Sequence, residues 1–246
     1  MSEQNSKVAI VTGASRGIGA AIAQRLASDG FTVIVNYAGS AGAAQNVVQE
    51  IEKKGGRAIA AQADVADSDA VKRMFDSAEA AFGSVDVLVN NAGIMENTPL
   101  AETSDESFDR QIAINLKGTF NGLREAAKRL RTGGRIVNFS SSVVGIYQPN
   151  YAVYAATKSA VEAMTHVLAK EMRGRSVTVN SIAPGPIGTE LFFNGKSQPV
   201  IDAAAKLAPL ERLGQPADIA AIVSFLAGPD GAWINGQNLR ANGGQI

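Results

Sequence analysis

Short apolar runs recur along the chain and alternate with longer, Ala-rich segments whose apolar positions return every three to four residues. The runs Val8–Val11, Thr32–Val35, Ala58–Ala61, Val85–Val89, Arg135–Phe139 and Val177–Ile182 read as six strands, with Gln237–Arg240 as a seventh. Their near-continuous apolar character asks for burial on both faces, as in parallel strands between helices. The helical period covers Ile18–Ala27, Ser40–Lys54, Ser68–Phe82, Ser104–Leu130, Tyr151–Met172 and Ala217–Leu226. Ser68 with Asp69, and Ser104 with Asp105, supply start signals, while Gly30, Gly55-Gly56 and Gly83 stand where helices should stop. The pattern predicts the α/β class: a doubly wound parallel sheet of about seven strands, with helices on both faces, in one domain spanning residues 1–246.

One stretch breaks the alternation. From Pro184 to Pro216 the chain is rich in Pro and Gly and carries Leu191, Phe192 and Phe193 near its start. Loops of this length inside compact domains commonly cover binding sites, and this one follows the sixth strand, where open α/β sheets bind ligands. A substrate lid is expected at about residues 186–213.

Composition narrows the class of partner. The 23 Lys and Arg balance 23 Asp and Glu, so no excess positive charge is available for nucleic acid. There is no Cys and one His, which removes thiolate chemistry and leaves little for a transition metal; no metal site is expected. Neither a leader segment nor a membrane span is visible, since the start, Met1 to Lys7, is polar and the apolar runs are short. These features suggest a soluble, cytoplasmic protein.

Candidate chemistry begins after the first strand, at Thr12-Gly13-Ala14-Ser15-Arg16-Gly17-Ile18-Gly19, which leads straight into an apolar helix. Glycines there let the backbone approach a pyrophosphate at a helix N-terminus, so Gly13, Ser15, Arg16, Gly17, Ile18 and Gly19 form a candidate dinucleotide loop on a Rossmann-like fold. The end of the second strand should choose the dinucleotide, because NAD sites place a carboxylate there. Here stand Asn36, Tyr37 and Ala38, and no Asp or Glu occurs from Phe31 through Gln49. Arg16 adds charge and Ser40 can donate to phosphate oxygens, so NADP(H) is the expected cofactor.

A second group lies in the other half: Asn90-Asn91-Ala92-Gly93, a serine cluster Ser140-Ser141-Ser142, and Tyr154-Ala155-Ala156-Thr157-Lys158. Tyr154 and Lys158 are four apart and share a helical face, and an ammonium beside a phenol is expected to lower its pKa. Hydride addition to a ketone leaves an alkoxide that must be protonated, a task suited to such a phenol.

Taken in order, the glycine loop, the Asn-Asn-Ala-Gly run, Tyr-x-x-x-Lys with an upstream Ser, and Pro184-Gly185 closely resemble the short-chain dehydrogenase/reductase family over essentially the whole chain. The similarity is strongest to its 3-oxoacyl-[acyl-carrier-protein] reductase-like, ketoreductase branch. The resemblance implies a catalytic set of Asn115, Ser141, Tyr154 and Lys158: Ser holds the carbonyl oxygen, Tyr gives the proton, Lys also binds the nicotinamide ribose, and Asn holds a water for proton relay. The family's usual Ser-to-Tyr spacing selects Ser141, whereas the local Ser-x-x-Gly run nominates Ser142; Ser141 is the choice. The resemblance further implies an adenine clamp at Asp64 and Val65, ribose contacts from the Asn90 backbone, Asn91, Ala92 and Gly93, and nicotinamide contacts from Pro184, Gly185, Ile187 and Thr189. Thr189 also suits a turn or helix cap, and His166, twelve residues after Tyr154, suits packing or an interface. Trp233 and residues 240–246 are expected to meet a neighbouring subunit of a homotetramer.

These features together suggest an NADPH-dependent reductase of ketones. The substrate is a free ketone, a keto ester or a 3-oxoacyl thioester; for a thioester on acyl-carrier protein, Arg129, Arg131, Arg173 and Arg175 offer positive charge, although helix ends attract such residues anyway. The alternatives are an alcohol or sugar dehydrogenase running oxidatively, or a non-catalytic dinucleotide-binding sensor.

Overall fold

The computed structural model describes residues 6–246; residues 1–5, which entered the reading against a leader segment, lie outside the described residues. One sheet contains β1 (Val8–Val11), β2 (Thr32–Tyr37), β3 (Arg57–Gln62), β4 (Val87–Asn90), β5 (Arg135–Phe139), β6 (Thr178–Pro184) and β7 (Asn238–Ala241). All pairs are parallel, in the order β3-β2-β1-β4-β5-β6-β7. The strands sit where the apolar runs predicted them.

Helices α1 (Gly17–Ser28), α2 (Ala41–Lys53) and α3 (Ser68–Phe82) connect the first four strands. Then come α4 (Asp105–Gln111), α5 (Gly118–Arg129), α6 (Val143–Ile146), α7 (Ala152–Glu171), α8 (Glu190–Phe193), α9 (Gln198–Lys206) and α10 (Pro216–Ala227). Successive strand side chains point to opposite faces, so each apolar run feeds two cores. Ala9, Val11, Val33 and Val35 pack with Ile22 and Leu26 of α1 and Val223 of α10. Val8, Ile10 and Ile34 pack on the other face with Phe75 of α3, Leu123 of α5 and Leu168 of α7.

Three local features differ from the sequence reading. The cap of α3 is Asp67, one residue before the expected Ser68, and its carboxylate accepts from the Asp69 and Ala70 amides at 2.8 and 3.2 Å. Ser104 does cap α4, accepting from the Ser107 amide. The single helix expected over Ser104–Leu130 is three pieces, with a wide π turn at Ile112–Lys117 between α4 and α5. Tertiary contacts impose that turn: Asn115 is drawn inward onto the Ile94 backbone, while Gly118 meets Val65 so closely that a Cβ would lie 2.6 Å from its Cγ2. The expected lid is also no irregular loop. It carries α8 and α9, and its neck is tied where Gly188 donates to the Gly214 carbonyl and Gly214 to that of Pro186.

The chain turns from β1 towards β2 and β3, then crosses back to β4. The strand order therefore reverses between β1 and β4, and the C-terminal ends of the central strands open into a cleft there.

Candidate active site

A cleft of about 780 Å³ runs along those strand ends. Its floor begins at the glycine loop. Gly13 and Gly17 have φ of +62° and +56°, a left-handed backbone that favours glycine. Gly19 is required by space, because a Cβ there would lie 2.4 Å from the Gly13 carbonyl oxygen and 2.6 Å from Asn91 Nδ2. Asn91 clamps this loop, donating to the carbonyls of Thr12 and Gly13 at 2.9 and 3.1 Å. The Thr12 hydroxyl accepts in turn from the amides of Asn91 and Ala92. Arg16, the N-cap of α1, makes no side-chain cap bond, so the positive end of the helix dipole opens onto the cleft. Ser15, Ile18, Ala92 and Gly93 line the same end.

The end of β2 narrows one expectation, for Asn36, which lines the cleft, and corrects another, for Tyr37. Asn36 is buried, and its carboxamide is fully committed: Oδ1 accepts from the Gly13 amide, and Nδ2 donates to the carbonyls of Ala61 and Ala63. It fixes the loop and has no side-chain hydrogen left for a phosphate. Tyr37 turns towards the core and does not line the cleft. Ala38, Gly39 and Ser40 do line it, and the exposed Ser40 starts α2 without a side-chain cap bond. Asp64 and Val65 lie opposite; the Asp64 carboxylate accepts from the Ala66 amide at 2.9 Å.

The chemical centre lies where α7 passes the end of β5. Buried Lys158 donates to the Phe139 carbonyl at 2.9 Å, with its Nζ 5.6 Å from the centroid of the Tyr154 ring. The Ser141 hydroxyl, which accepts from the Val143 amide at 3.3 Å, stands beside Tyr154 and draws its pKa down. The sequence reading had Lys158 lowering the Tyr154 pKa; the balance runs the other way. Burial pushes the phenol up to about 12, opposed by the Ser141 hydroxyl and assisted by neighbouring Tyr151, and burial also pushes Lys158 down to about 8. Tethered on a carbonyl and itself desolvated, the amine is too distant to offset the burial of the ring. Tyr154 is therefore held as a neutral phenol across the physiological range.

The three serines point three ways. Ser140 donates to the Glu162 carboxylate, and Ser142 donates to the Ala183 carbonyl while accepting from Asn242 Nδ2. Ser141, between them, is part-exposed in the cleft beside Tyr154. Asn115 stands behind the cleft, fully buried: Oδ1 accepts from the Ile94 amide, and Nδ2 donates to the Ile94 carbonyl and the Thr157 hydroxyl. It braces the chain after β4 against α7, and a Cβ on Gly93 would lie 3.5 Å from Lys158 Nζ.

Pro184, Gly185, Ile187 and Thr189 line the far end. The Thr189 hydroxyl accepts from the Phe192 amide, so it also caps α8. From the segment after β6, Leu191, Phe192, Val200 and Leu207 form an apolar wall, whereas Phe193 packs edge-on to Phe192 outside the lining. Several lining residues were absent from the candidate set, Tyr151 and Gln245 among them. Tyr151, whose ring meets that of Tyr154 at 6.4 Å, was findable from its place three residues earlier on the same helix. Gln245 had no local signal, because only the pairing of β7 with β6 brings it in.

The basic end imagined for a carrier protein is largely neutralised. Arg129 is bound by Glu79, Asp76 and Glu125, Arg131 by Asp86, and Arg175 donates to the carbonyls of Ala127 and Leu130; Arg173 remains exposed. His166 is exposed on α7, and Trp233 is 97% exposed. Among the described residues no group of three His, Cys, Asp or Glu is gathered as metal ligands, and no helix is long and apolar enough to cross a membrane.

A family model described as enoyl-(acyl carrier protein) reductase matches residues 13–245. The chain is 48% identical over 250 residues to a short-chain type dehydrogenase/reductase of Picea abies, covering 98% of this chain and 92% of the relative. It is 45% identical over 254 residues to a chloroplastic NADPH-dependent aldehyde reductase-like protein of Arabidopsis thaliana, covering 98% and 94%. Among solved structures, a short-chain dehydrogenase of Burkholderia cenocepacia in complex with NADP superposes with a TM-score of 0.93 at 40% identity, covering 98% of each chain. With the sheet order, the glycine loop and the Tyr154–Lys158 pair in place, these likenesses settle the family: the chain belongs to the short-chain dehydrogenases/reductases.

Proposed function

We propose that the protein is an NADPH-dependent carbonyl reductase that converts hydrophobic ketones to secondary alcohols. The observation that carries this reading is the convergence of Tyr154, Ser141 and Lys158 in an apolar-walled cleft, with Lys158 Nζ 5.6 Å from the Tyr154 ring. Reduction needs a proton donor at the carbonyl oxygen, and a phenol held up to about 12 keeps its proton for that step.

The residues present fit a phosphorylated dinucleotide. Gly13 to Gly19 and the start of α1 would hold the pyrophosphate, Arg16 and Ser40 the 2′-phosphate, and Asp64 with Val65 the adenine. Asn91 to Gly93 would meet the adenosine ribose, and Lys158 with Pro184, Gly185, Ile187 and Thr189 the nicotinamide half. When bound, the reduced dinucleotide supplies the hydride. Ser141 donates a hydrogen bond to the substrate carbonyl oxygen and Tyr154 gives it a proton as negative charge develops there. Lys158 holds positive charge beneath the phenol, and Asn115, its carboxamide spent on Ile94 and Thr157, supports the α7 face that carries Lys158.

The apolar lid favours a free hydrophobic ketone over a carrier-bound thioester, as does the internal pairing of Arg129, Arg131 and Arg175. The same reading has the enzyme cytoplasmic, on its balanced cysteine-free composition, and a homotetramer, on the exposed Phe108, Phe120 and Trp233 near α4, α5 and β7. The test is NADPH consumption with a ketone panel that includes a 3-oxoacyl thioester on carrier protein and on a small thiol. Turnover of apolar ketones with no preference for the carrier-bound form is expected. Tight NADPH binding without turnover of any ketone overturns the reading in favour of a sensor. Ser141→Ala should lower kcat by about a hundred- to a thousandfold, and sedimentation should give four chains per particle.

A further inference from the structure

The serine triplet is only one-third accounted for by the chemistry above. Ser140 and Ser142 are buried, and each is held by a side chain from a distant part of the chain. The Ser140 hydroxyl donates to Glu162 Oε1, the same oxygen that accepts from Asn238 Nδ2 of β7 at 2.6 Å. Asn238 is itself fixed by Ser181 of β6, which donates to its Oδ1 at 3.1 Å. On the other side, Asn242, just past β7, donates to the Ser142 hydroxyl at 3.0 Å. The reactive position is thus the middle member of a row clamped at both ends, its own hydroxyl accepting only a long bond, 3.3 Å, from the Val143 amide.

Glu162 lies on the helix that carries Tyr154 and Lys158. At 154, 158 and 162 the three fall four residues apart along one face of α7. The helix that positions the phenol therefore also grips the residue next to the phenol's serine partner. Glu162 is part-buried, and the two short hydrogen bonds it accepts from Ser140 and Asn238 offset the desolvation of its carboxylate and fix its place.

We propose that Glu162 is a positioning residue, assisted by Asn242, that acts through Ser140 to aim the Ser141 hydroxyl at Tyr154 and the substrate oxygen. The inference rests on the reductase reading with Ser141 at its centre. Glu162 touches neither substrate nor cofactor; it sets the end of β5 against α7. Displacing a reacting hydroxyl by a fraction of an ångström slows the chemical step and leaves cofactor binding alone, because Glu162 and Ser140 are remote from the glycine loop.

The test compares Glu162→Ala, Glu162→Gln, Ser140→Ala and the double variant Ser140→Ala with Glu162→Ala in ketone reduction. We expect Glu162→Ala to lower kcat by about tenfold or more with KM for NADPH unchanged. Glu162→Gln, which keeps an acceptor oxygen in place, restores most of that loss. In the Ser140→Ala background, Glu162→Ala adds little, because the link is already cut. An equal loss in both backgrounds, a loss confined to KM for NADPH, or no rescue by Gln overturns the proposal. Should Glu162→Ala not fold, the milder Ser140→Ala and Glu162→Gln decide it: Ser140→Ala with unchanged kcat overturns it. Asn242→Ala and Ser142→Ala form the parallel pair, each expected to lower kcat less than Glu162→Ala. Wild-type kcat in Ser141→Ala defeats the underlying reading instead, which separates the two failures.

Discussion

Lys158 donates to the main-chain carbonyl of Phe139 at 2.9 Å, a bond that ties the middle of α7 to the last residue of β5 and holds an ammonium inside the protein. Burial lowers its pKa from 10.5 to about 8, and this has a consequence for stability. The folded state disfavours the charged form, so below about pH 8, where the lysine is protonated in both states, the penalty is fully present; between about 8 and 10.5 only the unfolded chain keeps the proton, and the penalty fades as pH rises. The shift corresponds to roughly 3 kcal/mol, reduced in practice by loss of the bond to Phe139. Lys158→Met should therefore raise the thermal midpoint at pH 7, show little gain at pH 10.5, and abolish reduction. A lower midpoint at pH 7 would contradict this account.

Reduction needs Tyr154 as phenol and Lys158 as ammonium. With Tyr154 held up to about 12 and Lys158 down to about 8, the reductive kcat/KM should be flat through neutrality and fall above about pH 8 as the ammonium is lost. A rate that climbs between pH 8 and 10 would show that another group controls the profile.

Gly19 is the tightest point of the dinucleotide loop. Gly19→Ala puts a methyl 2.4 Å from the Gly13 oxygen, so the loop must shift off Asn91. NADPH affinity should fall by at least about tenfold, about 1.4 kcal/mol, in a fluorescence titration. Unchanged affinity would mean the loop gives way freely.

Asn36 and Arg16 divide two tasks that the sequence reading assigned jointly. Asn36→Ala removes three hydrogen bonds to the loop and to the residues around the end of β3, and should cost about 1–3 kcal/mol of stability. Arg16→Ala should leave the denaturation midpoint alone but erode the preference for NADPH over NADH, measured as a ratio of kcat/KM values. If Asn36→Ala alters only that ratio, the assignment is reversed.

Arg129 joins α5 to α3 through Glu79 and Asp76 and also meets Glu125 of its own helix. The three carboxylates hold its pKa above the ordinary arginine value, chiefly through Glu79. Arg129→Ala strands nearly buried Glu125 and should destabilise by roughly 1–3 kcal/mol in urea denaturation, with no change in selectivity for a carrier-bound substrate. A selective loss of carrier-bound turnover would restore this face as a docking site.

The sequence by itself determined what depends on local periodicity and backbone chirality. Seven strands, the glycine loop and the common helical face of Tyr154 and Lys158 follow from apolar alternation, residues without a Cβ and a spacing of four. Tertiary structure decided everything that depends on which distant groups converge. The Asn36 amide is claimed by the carbonyls of Ala61 in β3 and Ala63 just beyond it, and the hydroxyl of Ser142, the alternative to Ser141, is claimed by Asn242 and Ala183. The π turn at Ile112–Lys117 leaves no trace in helix propensity, because its causes, Ile94 and Val65, lie in other elements. The pKa of Tyr154 reversed its expected direction for the same physical reason: adjacency in sequence fixes a partner, whereas burial is a property of the whole fold.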